Sequence, residues 1–334
     1  MGNESLRLVA MSGESEIVHL PLGFIGDLDL NPVTQQLAHA EGMANVNLYA
    51  FNLNSPKHNN GIYVQQLSSS ARTDVLPTVS PDGMQTAFVS YQRRAANGDK
   101  HVELWLKHKN KQTATLLANV AHHIQVKYLL WSPNGEYLLL GDSNSTLYLM
   151  NIYSKQLVPI IADHQNLAQV SWSMDGQFIY FISGDAQDQR WRYNLKLAAV
   201  EADDNITQQP DLSVAAMQQL NASFSGYSQR VNQFLIENLA YDLPVDDLLP
   251  SLKLYRPYVY KQGIYYVVKE GQRLNLYRYH FTEQTNSKIA EIGRFEQDIH
   301  LQLTLSASDD GQYIVLSKIA DMETDILVQA KLAQ

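Results

Sequence analysis

The residues that could do chemistry here are histidines and carboxylates: the chain has ten histidines, 34 acidic residues and no cysteine. Without cysteine there are no disulfides, thiolate metal sites or cysteine nucleophiles, a composition that suits the cytoplasm and a bacterial periplasm alike. The histidines include His101, His108, the pair His122 and His123, and His164. None stands in an HxH or HExxH spacing. Adjacent histidines point to opposite sides of an extended chain, so His122 and His123 do not grip one ion. They read as loop and surface residues, and neither a metal nor a cofactor is expected. Carboxylate pairs occur at Asp203 and Asp204, Asp246 and Asp247, and Asp309 and Asp310. Glycoside chemistry needs two carboxyls converging on one bond, whereas these pairs lie in turn or loop sequence and no S-x-D-x-G-x-x-W box is present. A serine elbow needs G-x-S-x-G, and Phe224-Ser225-Gly226 lacks the upstream glycine. Walker A and dinucleotide glycine patterns are also absent. No catalytic residue is assigned, and the chain reads as a binding protein rather than an enzyme.

Charge narrows the partners. Phosphate neutralisation dominates nucleic-acid affinity, and a formal net charge of −9 with no long basic run argues against direct contact with DNA or RNA. No stretch approaches the roughly 18 consecutive apolar residues of a membrane span. The first twenty residues lack a basic segment followed by an apolar one. Any membrane anchoring would be through a segment outside this chain.

A repeat must position whatever site exists. Strand-like segments centred on Tyr63, Trp105, Tyr148, Trp191, Phe234, Tyr277 and Ile326 recur at intervals of 42, 43, 43, 43, 43 and 49 residues. A Ser-x-Asp/Asn-Gly turn keeps a similar phase. Its copies are Ser80-Pro81-Asp82-Gly83, Ser132-Pro133-Asn134-Gly135, Ser173-Met174-Asp175-Gly176 and Ser308-Asp309-Asp310-Gly311. Ser caps such a turn, Pro presets φ, Asp or Asn suits the third position, and Gly takes the left-handed conformation that leads into the next strand. Apolar strands follow each copy: MQTAFVSY, EYLLLGD, QFIYFIS and QYIVLSK.

A radially repeated four-stranded unit of this length is the mark of a β-propeller blade. The expected fold is all-β: one propeller over 1–334 with about seven blades, six or eight being the alternatives. The boundaries fall near 21–75, 76–120, 121–164, 165–205, 206–250, 251–294 and 295–334. The last unit has three strands, so it needs a fourth from elsewhere to avoid an open edge. The N-terminal strand within 5–20, SLRLVAM or SEIVHLPL, is the expected donor, so that the termini meet in one blade. Residues 200–220 are polar and then helix-compatible, either a long excursion between the fourth and fifth blades or a solvated loop, and the fifth blade is the least defined.

Aromatics at the repeat phase, Trp105, Tyr148, Trp191 and Tyr277, read as core between blades. Off-phase residues near the starts of inner strands lie where a propeller's channel opens. His123, Tyr128, His164, Arg256 and Tyr258 are the candidates for contact with a ligand or partner.

The sequence resembles TolB-like propellers, most closely those forming the periplasmic half of CadC/ToxR-type membrane-anchored winged-helix regulators. The resemblance rests on Pro77-Thr78-Val79-Ser80-Pro81-Asp82-Gly83, Trp131-Ser132-Pro133-Asn134-Gly135 and Ser171-Trp172-Ser173-Met174-Asp175-Gly176. It continues in Gly263-Ile264-Tyr265-Tyr266, in Leu276-Tyr277-Arg278-Tyr279, and in Ser308-Asp309-Asp310-Gly311 with Thr324-Asp325-Ile326-Leu327-Val328. It implies a non-catalytic sensory domain on the periplasmic side of a bacterial inner membrane, with a protein or small-molecule signal held at one propeller face. A free-standing periplasmic scaffold and a channel-mouth hydrolase or lyase are the alternatives.

Overall fold

Alternating and continuous apolar runs form strands throughout, and the described residues contain no helix. The computed structural model describes residues 6–9, 15–19, 24–31, 33–34, 36–54, 63–69, 72–91, 102–121, 124, 126–162, 167–173, 175–182, 190–202, 258–260, 262–280, 282–283, 285–294 and 304–329. Among them, the strands of the first half are β1 (Leu6–Val9), β2 (Ser15–His19), β3 (Phe24–Asn31), β4 (Gln36–Asn52), β5 (Tyr63–Gln66), β6 (Thr73–Val79), β7 (Gln85–Tyr91), β8 (Val102–His108), β9 (Ala114–Val120), β10 (Val126–Trp131), β11 (Tyr137–Asp142), β12 (Leu147–Asn151) and β13 (Leu157–Ile161). The second half supplies β14 (Ala168–Trp172), β15 (Phe178–Ile182), β16 (Arg190–Asn194), β17 (Ala199–Ala202), β18 (Tyr258–Tyr260), β19 (Gly263–Glu270), β20 (Arg273–His280), β21 (Thr285–Arg294), β22 (Leu305–Ala307) and β23 (Tyr313–Gln329).

Strands β10–β13, β14–β17 and β18–β21 form three separate four-stranded antiparallel meanders. A fourth meander, β6–β9, joins a larger sheet because Thr73 at its start bridges Val46 of β4 in parallel. The fifth unit is assembled from both ends of the chain. β22 pairs with β23, β23 with β4, and β4 with β5.

This last unit changes two expectations. The strand that pairs with the C-terminal β23 is β4, from Tyr313 opposite Asn52 to Gln329 opposite Leu37, and does not lie within 5–20. SLRLVAM and SEIVHLPL instead contribute β1 and β2, which pair with each other. Two short strands close in sequence form a hairpin at little loop-closure cost, whereas β4 offers 17 residues to a partner of equal length. In consequence the segments 21–75 and 295–334, expected as separate blades, supply strands to one sheet.

Alternation of side chains along each middle strand explains why the sheets stack. In β11, Leu138 and Leu140 pack toward β6–β9, while Leu139 packs toward β14–β17. In β7, Ala87 and Val89 face the β10–β13 sheet, and Phe88 faces Val315 and Tyr313. In β23, Tyr313 and Val315 look one way, while Ile314 and Leu316 look toward Tyr265, Val267 and Leu276. Each middle strand is thus buried on both faces, which is why its sequence reads as a continuous apolar run. The inner strands β18, β22, β6 and β10 follow one another as spatial neighbours. Sheets packed face to face in this order are propeller-like.

Polar groups fasten the seams. Trp131 donates its indole N–H to the Thr78 carbonyl (2.9 Å), and the Val79 N–H donates to Ser306 Oγ (3.0 Å). The Leu76 N–H donates to Thr304 Oγ1 (3.1 Å), and the Tyr265 hydroxyl to the Gly311 carbonyl (2.7 Å). Leu76 sits at φ 53° beside a register shift between Val75 and Thr78. A left-handed leucine costs conformational energy, and its bond to Thr304 helps to hold it.

Candidate interaction surface

Two kinds of short turn build one face of the molecule. In each Ser-x-Asp/Asn-Gly copy, the serine hydroxyl donates to the third residue's Oδ1, at 2.6 Å for Ser80, Ser132 and Ser173 and 2.5 Å for Ser308. The same hydroxyl oxygen accepts the N–H of the strand residue five places on, namely Gln85, Tyr137, Phe178 and Tyr313. The Oδ1 of Asp82, Asn134, Asp175 and Asp310 also accepts the N–H two residues later. Gly83, Gly135, Gly176 and Gly311 lie at φ 70°, 70°, 69° and 67°, a region that glycine enters without steric cost. Partial burial pushes the Asp82 carboxyl up, but the Ser80 hydroxyl and the Met84 N–H bring it net below the usual carboxylate range. The Ser173 hydroxyl is the main cause of the same lowering at Asp175.

The second turn follows the third strand of each unit, on the same face. Asn151 Oδ1 accepts the N–H groups of Tyr153 and Ser154, and Asn194 Oδ1 those of Lys196 and Leu197. Asn52 does the same for Asn54, and the imidazoles of His108 and His280 accept from Asn110 and Glu283 through Nδ1. Sequence reasoning missed this turn, although His108, Asn151 and Asn194 are 43 residues apart and His280 lies two periods beyond Asn194. Two of the ten histidines are therefore turn caps.

The opposite face, where inner strands begin and second strands end, carries polar groups at matched register. Asp74, Ser90 and Glu103 face one another across β6, β7 and β8. Ser90 donates to Asp74 Oδ1 at 2.6 Å, and Arg72 pairs with Glu103. The Trp105 indole N–H also donates to Glu103 at 2.9 Å, with the Arg72 guanidinium 5.8 Å from the ring centre. In the next sheet, Asp142 Oδ1 accepts the N–H groups of Asn144 and Thr146 and folds the loop between β11 and β12. These carboxylates are held by protein donors. Among the described residues no cluster of three or more metal-ligating side chains occurs, and no helix is long and apolar enough to cross a membrane.

Of the five candidate contact residues, His123, His164 and Arg256 lie outside the described residues. Tyr128 is buried between the β10–β13 and β14–β17 sheets, with its ring against Gly141. Burial, reinforced by Asp142, pushes its hydroxyl far up. Tyr258 packs on the seam with β22, and burial pushes its hydroxyl up to about 12 despite bonds to Ser306 and the Ala307 backbone. Both tyrosines take core or seam positions. A register shift between Val126 and Tyr128 places Tyr128 there, because a one-residue slip exchanges the two faces of a strand.

The largest feature of this face is a ribbon. Blade strands such as β7 and β11 end at Tyr91 and Asp142, whereas β23 runs on to Gln329 with β4 alongside as far as Leu37. Ten further residues of strand extend about 30 Å. β3 adds a third strand to this projection, with Leu28 opposite His39 and Leu30 opposite Leu37. Leu28, Leu30 and Val33 are exposed by 54%, 50% and 89%, a concentration of apolar surface on one hairpin.

A family profile described as the anaphase-promoting complex subunit 4 WD40 domain matches residues 95–175, within the β6–β17 region; WD40 repeats are four-stranded propeller blades. No curated protein sequence matches the chain. Among solved structures, TolB from Acinetobacter baumannii is 13% identical, with 86% of this chain and 67% of that chain covered at a TM-score of 0.37. An oligogalacturonate lyase in complex with manganese is 8% identical, covering 95% and 83% at 0.37. The oligogalacturonate lyase of Vibrio parahaemolyticus is 9% identical, covering 81% and 77% at 0.35.

Proposed function

We propose that this chain is a non-catalytic protein-interaction or sensory propeller of six blades. Five four-stranded units stand among the described residues, and the 43-residue period assigns one more to 206–250, which lies outside them. The unit that joins β22 and β23 to β4 and β5 closes the ring. The observation that carries the interaction reading is the β3–β4–β23 ribbon, whose exposed leucines stand out from the loop face. Its motifs resemble those of regulator propellers, so the finer reading is the periplasmic domain of a membrane-anchored transcriptional regulator. A protein or small molecule on the loop face would favour one of two arrangements of the attached domains, to the extent that it binds them with different affinity.

Immunoblotting of fractionated cells tests the finer reading. A membrane-bound band well above 37.7 kDa is expected. A soluble periplasmic band near that size would reject the regulator and leave a free-standing scaffold.

A further inference from the structure

Among the described residues β3 pairs only with β4, and none of them takes up the N–H and C=O groups of its second edge. Such an edge is a template for strand addition. Its sequence is FIGDLDLN; the register with β4 shifts between Ile25 and Leu28, and beyond it Leu28 and Leu30 stand on one phase and Asp29 on the other. Asp29, Leu28 and Leu30 are exposed.

The sequence of the projecting part of the ribbon is acidic. Residues 24–45 and 319–330 hold Asp27, Asp29, Glu41, Asp321, Glu323 and Asp325, with His39 and no lysine or arginine. Glu41 and Asp325 are register partners on β4 and β23. Like charges at facing positions weaken pairing, so a second copy of β3 running antiparallel with Asp29 opposite Asp29 would be disfavoured. A strand carrying cations at those positions gains what a second copy loses.

We infer that the free edge of Phe24–Asn31 binds an extended segment of a partner protein that alternates lysine or arginine with apolar residues, adding it as a fourth strand. Backbone hydrogen bonds supply the register. The cations lie along Asp29, and the apolar residues cover Leu28 and Leu30. This deepens the interaction reading and rests on it.

The probe is a fluorescein-labelled synthetic octapeptide of alternating valine and lysine, titrated into the full chain by anisotropy at low and high salt. Saturable binding is expected, weakening with salt. Methylating alternate backbone nitrogens on the pairing side, which keeps charge and shape but removes donors, should weaken it at least tenfold. Asp29→Lys should do the same with an unchanged melting temperature, because Asp29 is exposed. Equal binding of the methylated peptide would overturn strand addition in favour of charge attraction alone. An unaffected Asp29→Lys variant, or no saturation at millimolar peptide, would also overturn it. Concentration-dependent dimerisation lost in Leu30→Asp would assign the edge to a second copy. If the peptide fails while partners still cross-link elsewhere on the loop face, the strand edge is rejected and the interaction reading stands.

Discussion

Gly135→Ala and Gly311→Ala place the same methyl group at nearly the same backbone angle in two very different surroundings. Both glycines are left-handed, at φ 70° and 67°. An L-residue held there costs roughly 1–2 kcal/mol, partly offset by lost freedom of the unfolded chain. At Gly135 nothing lies within 4 Å of the added carbon, so the loss should be about 1 kcal/mol. At Gly311 the added carbon would stand 2.3 Å from Tyr260 Cε2. Tyr260 is 3% exposed and stacked on Tyr265 with ring centres 4.9 Å apart, so it has no room to swing away. Overpacking of that kind adds about 1–3 kcal/mol, for a total of about 2–4 kcal/mol. Urea unfolding of the two variants, followed by tryptophan fluorescence, separates the two contributions. Gly83→Ala should fall between them, since its carbon would meet Ser308 Cβ at 3.2 Å. Equal losses at 135 and 311 would refute the packing of Tyr260 against the Gly311 turn. No loss at 135 would refute the left-handed turn itself.

Acid should weaken the turns in a predictable direction. Asp82 and Asp175 have lowered folded-state values, so their stabilisation is complete above the ordinary carboxylate range and is lost as pH falls through it toward the folded-state value. The double variant Asp82→Asn and Asp175→Asn should therefore show a shallower loss of melting temperature below pH 5 than the parent; parallel curves would count against the serine bonds. Ser306→Ala removes the acceptor of the Val79 N–H and should cost about 1–3 kcal/mol in urea unfolding. Ser171→Ala, at a buried hydroxyl with no hydrogen-bond partner among the described residues, should be neutral or slightly stabilising, and a comparable loss at both positions would contradict the seam described for Ser306.

The parts of the fold written in short, rigid chemistry were readable from residues. Ser-x-Asp/Asn-Gly defines a turn because the serine, the acid and the glycine each meet a local requirement, and the apolar run after each copy is a strand buried on both faces. The partner of β23 was not readable. Segment QLAHAEGMANVNLYAFN mixes glycine, alanine and asparagine with its apolar residues, and its pairing is decided by a strand nearly three hundred residues away. Tyr128 was chosen as an off-phase residue at the start of an inner strand, whereas the register shift beside Val126 turns it into the packing between two sheets. Glu103 and Trp105 stand two apart on β8, but Arg72 reaches them only once β6, β7 and β8 are side by side, and nothing in its spacing announces that meeting.

On the proposed function, the propeller binds its partner through the face that carries the ribbon. Site-specific photo-cross-linking in cells tests it, with the reactive amino acid placed at Leu30 on the ribbon or at Tyr153, which is 76% exposed on the opposite turn face. A discrete cross-linked band from position 30 and none from position 153 is predicted. Cross-links from 153 with none from 30 would contradict the claim.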